Sequence, residues 1–123
     1  ALVPRRVVRV IIAESDPALR RLLDALLSPS SDMRVVGRVS DAERMVSAVQ
    51  RLKPDVVLVD GAMAGATHIA RIATACERTR VVVLGTYMNG AMDALAAGAR
   101  DFILKDDGPE GIANAIRRVS ALP

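Results

Sequence analysis

Five short apolar runs recur along the chain, at residues 7–13, 33–39, 56–59, 81–84 and 102–104, and each is followed by a stretch of helical periodicity. Four of the runs are almost continuously apolar, as strands are when both faces of a sheet are covered. The second differs: Arg34 and Arg38 interleave with its apolar residues, which places it at a sheet edge. Between the runs, Leu19, Leu22, Leu23, Leu26 and Leu27 form the i, i+3, i+4, i+7, i+8 stripe of a core-facing helix, with Asp16-Pro17 as cap and first residue. Ser40-Asp41-Ala42-Glu43 reads as a capping box ahead of Met45, Val46, Val49 and Leu52, and Pro54 ends that second helix. Ile69, Ile72, Ala73 and Cys76 mark the third helix. Residues 91–97, closed by Gly98, mark the fourth, and Ile112, Ile116 and Val119 mark the fifth. Strict alternation of this kind predicts an α/β fold, a doubly wound five-stranded parallel sheet with helices on both faces and right-handed crossovers.

Composition narrows the function classes. At 123 residues and 51% apolar content, the chain is one domain of about the usual size with enough material for a core. No apolar run approaches the ~20 residues that cross a bilayer, and no signal core follows the basic N-terminus, so a cytoplasmic location without membrane partners is expected. The single cysteine, Cys76, cannot pair within the chain and argues for no oxidising compartment. A net charge of +3 permits weak attraction to nucleic acid, but with one Tyr, one Phe and no Trp there is no base-stacking platform. Leu2-Val3-Pro4-Arg5 resembles a protease-site remnant of recombinant expression, so residues 1–6 are read as a tail and 7–123 as the domain.

In doubly wound sheets the ligand site lies outside the carboxyl ends of the strands. Those positions hold Glu14, Ser15 and Asp16 after the first strand and Asp60 after the third. Gly85, Thr86 and Tyr87 follow the fourth strand, and Lys105, Asp106 and Asp107 the fifth. The first and third strands are neighbours in this topology, so Glu14 and Asp60 are expected side by side with Lys105 in reach. Carboxylates beside a lysine suit a hard divalent cation or a phosphoryl group. Taken singly, each residue has a plainer account as a turn cap or a surface ion pair. Three coinciding strand ends are harder to dismiss.

The stretches 10–17 (VIIAESDP), 53–60 (KPDVVLVD), Met63-Ala64-Gly65, 94–99 (ALAAGA) and 102–106 (FILKD) resemble the receiver domain of two-component response regulators, closest to the LuxR/NarL type. The resemblance covers nearly the whole chain. It implies the flavodoxin-like receiver topology, with strand order 2-1-3-4-5. It also implies Asp60 as phospho-acceptor from a histidine kinase, Lys105 as the lysine that pairs with the phosphoryl oxygens, and Phe102 as the aromatic whose rotamer follows activation. Glu14 takes the first place of the family's acidic pair. Ser15 stands where the family has a ligand aspartate for Mg²⁺, and Asp16, one residue later, is better placed as a helix cap than as a substitute ligand. Gly85 stands where the family has Thr or Ser, and Thr86 beside it points to the opposite strand face. Met63-Ala64-Gly65 replaces the usual Met-Pro-Gly, and the segments 60–85 and 85–105 are shorter than is typical.

The implied metal set is therefore Glu14 and Asp60, with Asp16 a weak third, and Mg²⁺ binding is expected to be weakened. The adopted reading is an atypical receiver with impaired or absent Mg²⁺-dependent aspartyl phosphorylation, controlling a transcriptional output. In the LuxR/NarL type that output is a helix-turn-helix domain that binds DNA. The chain ends at Leu122-Pro123, which leaves no residues for one, so DNA binding is not expected of this chain. Two alternatives stay open: an ordinary phospho-acceptor modified on Asp60, and a small-molecule-binding module using the strand-end pocket. A standalone enzyme is not expected, since no nucleophile–base pair can be assembled. His68 lacks a partner at metal spacing, and neither a P-loop nor a dinucleotide fingerprint is present. Arg20-Arg21 and Arg117-Arg118 flank the stripes of the first and fifth helices; a solvated surface is the preferred account, and a homodimer through those helices the sharper one.

Overall fold

Valine and isoleucine favour extended backbone through their branched Cβ, and the five runs rich in them become five parallel strands. The computed structural model describes residues 6–121. The elements are β1 (Val8–Ala13), α1 (Pro17–Leu27), β2 (Met33–Val39), α2 (Ala42–Leu52), β3 (Val56–Asp60), α3 (Ala66–Ala75), β4 (Arg80–Gly85), α4 (Ala91–Ala97), β5 (Asp101–Leu104), a 3₁₀ turn (Lys105–Asp107) and α5 (Gly108–Ser120). The sheet order is β2-β1-β3-β4-β5, as the alternation and the resemblance lead one to expect. β2 is the expected edge, with most of its residues only partly buried.

Successive side chains leave a strand on opposite faces, so each central strand feeds two cores. Val10, Ile12, Val56, Leu58, Val82 and Leu84 face α1 and α5, against Leu23, Leu27, Ile112, Ile116 and Val119. Ile11, Val57, Val59, Val81 and Val83 face the other way, against Met45, Val49, Ile69, Ile72 and Ala94 of α2, α3 and α4. Burying one such side chain contributes about 1.5–3 kcal/mol, so the two layers together hold the strand ends rigidly in place.

Several local expectations hold and others shift. Asp16 caps α1, its side chain accepting from the Ala18 N–H at 3.0 Å, with Pro17 in the first turn. Gly98 ends α4 in the left-handed region at φ +119°. The capping box ahead of α2 does not form: Asp41, not Ser40, is the cap, accepting from the Arg44 N–H. Glu43 instead reaches Arg71 of α3 at 2.7 Å, with His68 nearby at 3.5 Å, because an interhelical cation is a stronger partner than a backbone N–H. Leu22 of the expected core stripe is exposed, since α1 packs through the narrower seam of Leu23 and Leu27. Of the expected tail, residues 1–5 lie outside the described residues. Arg6 does not: its guanidinium meets the buried Asp55 at 2.7 Å.

Candidate functional site

The register of β1 on β3 pairs Ala13 with Val59, so the next residues, Glu14 and Asp60, leave the sheet side by side. Glu14 is 2% exposed. Its backbone is pinned on both sides, the N–H donating to Val39 O at 3.0 Å and the carbonyl accepting from Arg20 Nη1 at 2.8 Å. Glu14 Oε2 accepts from the Asp16 N–H at 3.1 Å, while Oε1 is buried with no hydrogen-bond partner among the described residues. Burial pushes the Glu14 carboxyl above the usual carboxylate range. The neighbouring Asp60 carboxylate adds to the rise, and the Asp16 N–H and the Lys105 ammonium oppose it.

Asp60 is also buried. Its Oδ1 accepts from the Ala62 N–H at 3.2 Å, and its carbonyl accepts from the Met63 N–H at 3.0 Å, which curls the chain into the turn before α3. The Gly61 N–H donates to Leu84 O and so ties that turn to the end of β4. Lys105, on the 3₁₀ turn after β5, brings Nζ to 3.4 Å from Asp60 Oδ1 and 4.0 Å from Glu14 Oε1. The three side chains proposed from the strand ends therefore converge.

The remaining positions do not complete that cluster. Ser15 is exposed, and Asp16 Oδ1 is held by the α1 cap. Among the described residues, no group of three or more His, Cys, Asp or Glu side chains is placed to hold a metal ion. Thr86 is exposed beyond the end of β4.

Gly85 and Phe102 form one steric unit. A Cβ on Gly85 would fall far inside contact distance of Phe102 Cζ and 2.9 Å from Cε1. The ring thus lies in the space that any side chain at position 85 needs. Gly85 is not among the glycines with positive φ, so the demand here is for room and not for backbone freedom. Sequence reading noted both residues but not that they fit each other.

Beside this unit opens a cleft of about 530 Å³, running from Asp60 and the β3–α3 turn to α4, and lined by Phe102, Gly85, Tyr87 and Asp93 among others. Tyr87 carries no role in the sequence beyond its place at the end of the fourth strand, and Asp93 has none. The signal available was that Tyr87 and Phe102 are the chain's only aromatic residues.

Comparison with known proteins agrees with this architecture. The family model described as the response regulator receiver domain matches residues 10–117. The transcriptional regulatory protein DesR of Bacillus subtilis is 32% identical over 118 residues, covering 91% of this chain and 58% of DesR. The nitrate/nitrite response regulator NarL of Escherichia coli K12 is 28% identical over 117 residues, covering 91% of this chain and 54% of NarL. Among solved structures, the signal receiver domain of the NarL response regulator from Mycobacterium tuberculosis superposes with a TM-score of 0.88 at 28% identity. That match covers 94% of this chain and 97% of that one. The chain spans about half the length of the curated relatives it matches.

Proposed function

The chain belongs to the response regulator receiver domain family, of the LuxR/NarL type, and from that premise we propose that it is a signal-input domain whose output does not run through Mg²⁺-dependent phosphorylation of Asp60. Receiver domains are generally non-enzymatic, interact with histidine kinases, and in LuxR/NarL-type relatives act on DNA through a separate domain. We take the output to be transcriptional, as in the regulators DesR and NarL that the chain resembles, and the receiver unit to begin near residue 7.

The observation that carries this reading is the Phe102 ring packed over Gly85. In this fold a hydroxyl at that strand end is the group that would bond a phosphoryl oxygen on Asp60. Glycine offers none, and the ring already fills the space a hydroxyl side chain would occupy. An aspartyl phosphate would therefore have no handle at position 85. Thr86, exposed past the end of β4, lines the same cleft but is not part of the packed Gly85–Phe102 unit, which would keep its packing whatever happened at Asp60.

Receiver domains generally bind Mg²⁺ at their acidic pocket. The donors here fit it poorly. Two buried carboxylates are available, one already paired with Lys105 at 3.4 Å, while Asp16 Oδ1 holds a helix cap and Ser15 is exposed. A hard cation that demands about six oxygen ligands in near-octahedral geometry gains little from such a set. The Lys105 ammonium supplies part of the positive charge instead, next to both carboxylates.

The ordinary phospho-acceptor reading rests on one specific observation, Lys105 Nζ within 3.4 Å of Asp60 Oδ1. Incubation with acetyl phosphate and Mg²⁺, followed by intact-mass analysis beside an Asp60→Asn control, separates the two. No Asp60-dependent adduct is expected. A stoichiometric adduct that also changes hydrogen exchange in 85–97 would overturn the proposal.

A further inference from the structure

We propose that the cleft between the β3–α3 turn, the end of β4 and α4 is a binding site for a small organic ammonium ion carrying an apolar body. The inference rests on the reading that the input is not a phosphoryl group, and it names the chemistry of the signal instead.

The argument begins with what lines the cleft. Its charged side chains are Asp60 and Asp93 alone; no lysine, arginine or histidine contributes, although the chain carries 17 basic residues against 14 acidic ones. Lys105 offsets Asp60 from the far side, whereas Asp93, exposed in the first turn of α4, has no ion-pair partner among the described residues. Among the side chains lining the cleft an anionic ligand would meet no cation, whereas a cationic one would find an unspent carboxylate.

The second observation concerns the rings. The chain contains one Tyr, one Phe and no Trp, and both aromatic residues line this one cleft. Tyr87 is 72% exposed, a position that costs apolar hydration unless something covers it. Aromatic rings attract cations through the negative charge of their faces, most strongly where water is excluded, and recognition of quaternary ammonium groups uses this pairing.

The third observation is room. Alanines and glycines of the β3–α3 turn and α4 form much of the wall, and Gly85, with no Cβ, leaves its place to the Phe102 ring, which also lines the cleft. The resulting volume, about 530 Å³, is within the range of small-molecule pockets. Ala62, Ala66 and the Tyr87 ring offer the exposed apolar surface for the body of the ligand, over a floor closed by the buried Ile69, Val83 and Ala94.

The test titrates phenyltrimethylammonium into the protein by NMR, with benzoate as an anion of similar size and potassium chloride at matched ionic strength. Beryllofluoride with Mg²⁺ is run in parallel. Saturable shifts at Tyr87, Asp93 and Phe102 are expected for the ammonium alone. Asp93→Asn and Tyr87→Ala, both at exposed positions, are each expected to weaken binding roughly three- to five-fold, the range given by exposed cation–π and charge contacts. Gly85→Thr, which forces the ring off its seat, is expected to abolish binding in a protein that remains folded. Equal binding of benzoate or potassium, or an ammonium affinity unchanged in the Asp93→Asn, Tyr87→Ala double variant, would overturn the site. Absence of ammonium binding without a beryllofluoride response overturns the site alone. A beryllofluoride response that reaches Phe102 overturns the phosphate-independent reading instead.

Discussion

Replacing Gly85 with alanine is expected to change sign with its background. In the native background the new Cβ lies 2.9 Å from Phe102 Cε1 and closer still to Cζ, where ordinary carbon contacts begin near ~3.5 Å. The ring must leave its seat and take its apolar contacts with it, a change in the overpacking class that costs about 1–3 kcal/mol. In a Phe102→Ala background nothing remains for the Cβ to strike. Gly85 has no positive φ, so the loss of unfolded-state freedom alone acts there and stabilises by about 0.4–1 kcal/mol. The coupling between the two positions is therefore about 1.5–4 kcal/mol, well above the ~0.5 kcal/mol within which independent sites add. Urea unfolding of the four proteins in the cycle, with unchanged m-values as the check on two-state behaviour, measures it. Additive effects, or a stabilising Gly85→Ala in the native background, would refute the seating of the ring and with it the argument for an uncoupled β4.

Other expectations follow from the same geometry. Glu14 has a pKa raised by burial, so its folded state holds a proton more tightly than the unfolded chain. Its contribution is neutral below the ordinary value of 4.5 and becomes destabilising as pH rises through the raised value. Glu14→Gln is therefore expected to raise the melting temperature at neutral pH and to lose that advantage in acid, as scanning calorimetry across pH would read. A variant that is destabilised at neutral pH would contradict this. Asp55, 5% exposed, accepts from the Arg9 N–H at 2.9 Å and from Arg6 at 2.7 Å. Asp55→Ala leaves that N–H without its acceptor and is expected to cost about 1–3 kcal/mol in urea unfolding. Arg6→Ala, whose side chain is 71% exposed, is expected to cost under about 1 kcal/mol. Equal losses would contradict the account of Asp55 as chiefly a backbone anchor.

Much of this fold is written in local pattern. The alternation of apolar runs with helical stripes specifies the strands, and the pairing of β1 with β3 then brings Glu14 to Asp60 without further information. Asp16-Pro17 and Gly98 announce their helix ends because caps depend on residues within one turn. What local pattern misses is contact between elements. Glu43 turns from its own helix to Arg71, a choice visible only once α2 and α3 lie together. Arg6, in a stretch that reads as a tail, is held by Asp55, distant in sequence. Gly85 reads in sequence as a missing hydroxyl; its structural meaning, a seat for Phe102, depends on the register of β5 against β4. The strand ends placed a pocket beside Gly85, Thr86 and Tyr87, but the part played by Asp93 was hidden, since it belongs to a short helix with no motif of its own.

The central claim is that the packing of Phe102 over Gly85 is independent of the chemistry at Asp60. It is tested most directly by an NMR titration with Mg²⁺ and then beryllofluoride, a stand-in for the aspartyl phosphate, on the native protein and on Asp60→Ala. The account predicts that Phe102 and residues 85–97 keep their native chemical shifts throughout. Saturable shifts at Phe102 and along α4, present in the native protein and absent from Asp60→Ala, would contradict it.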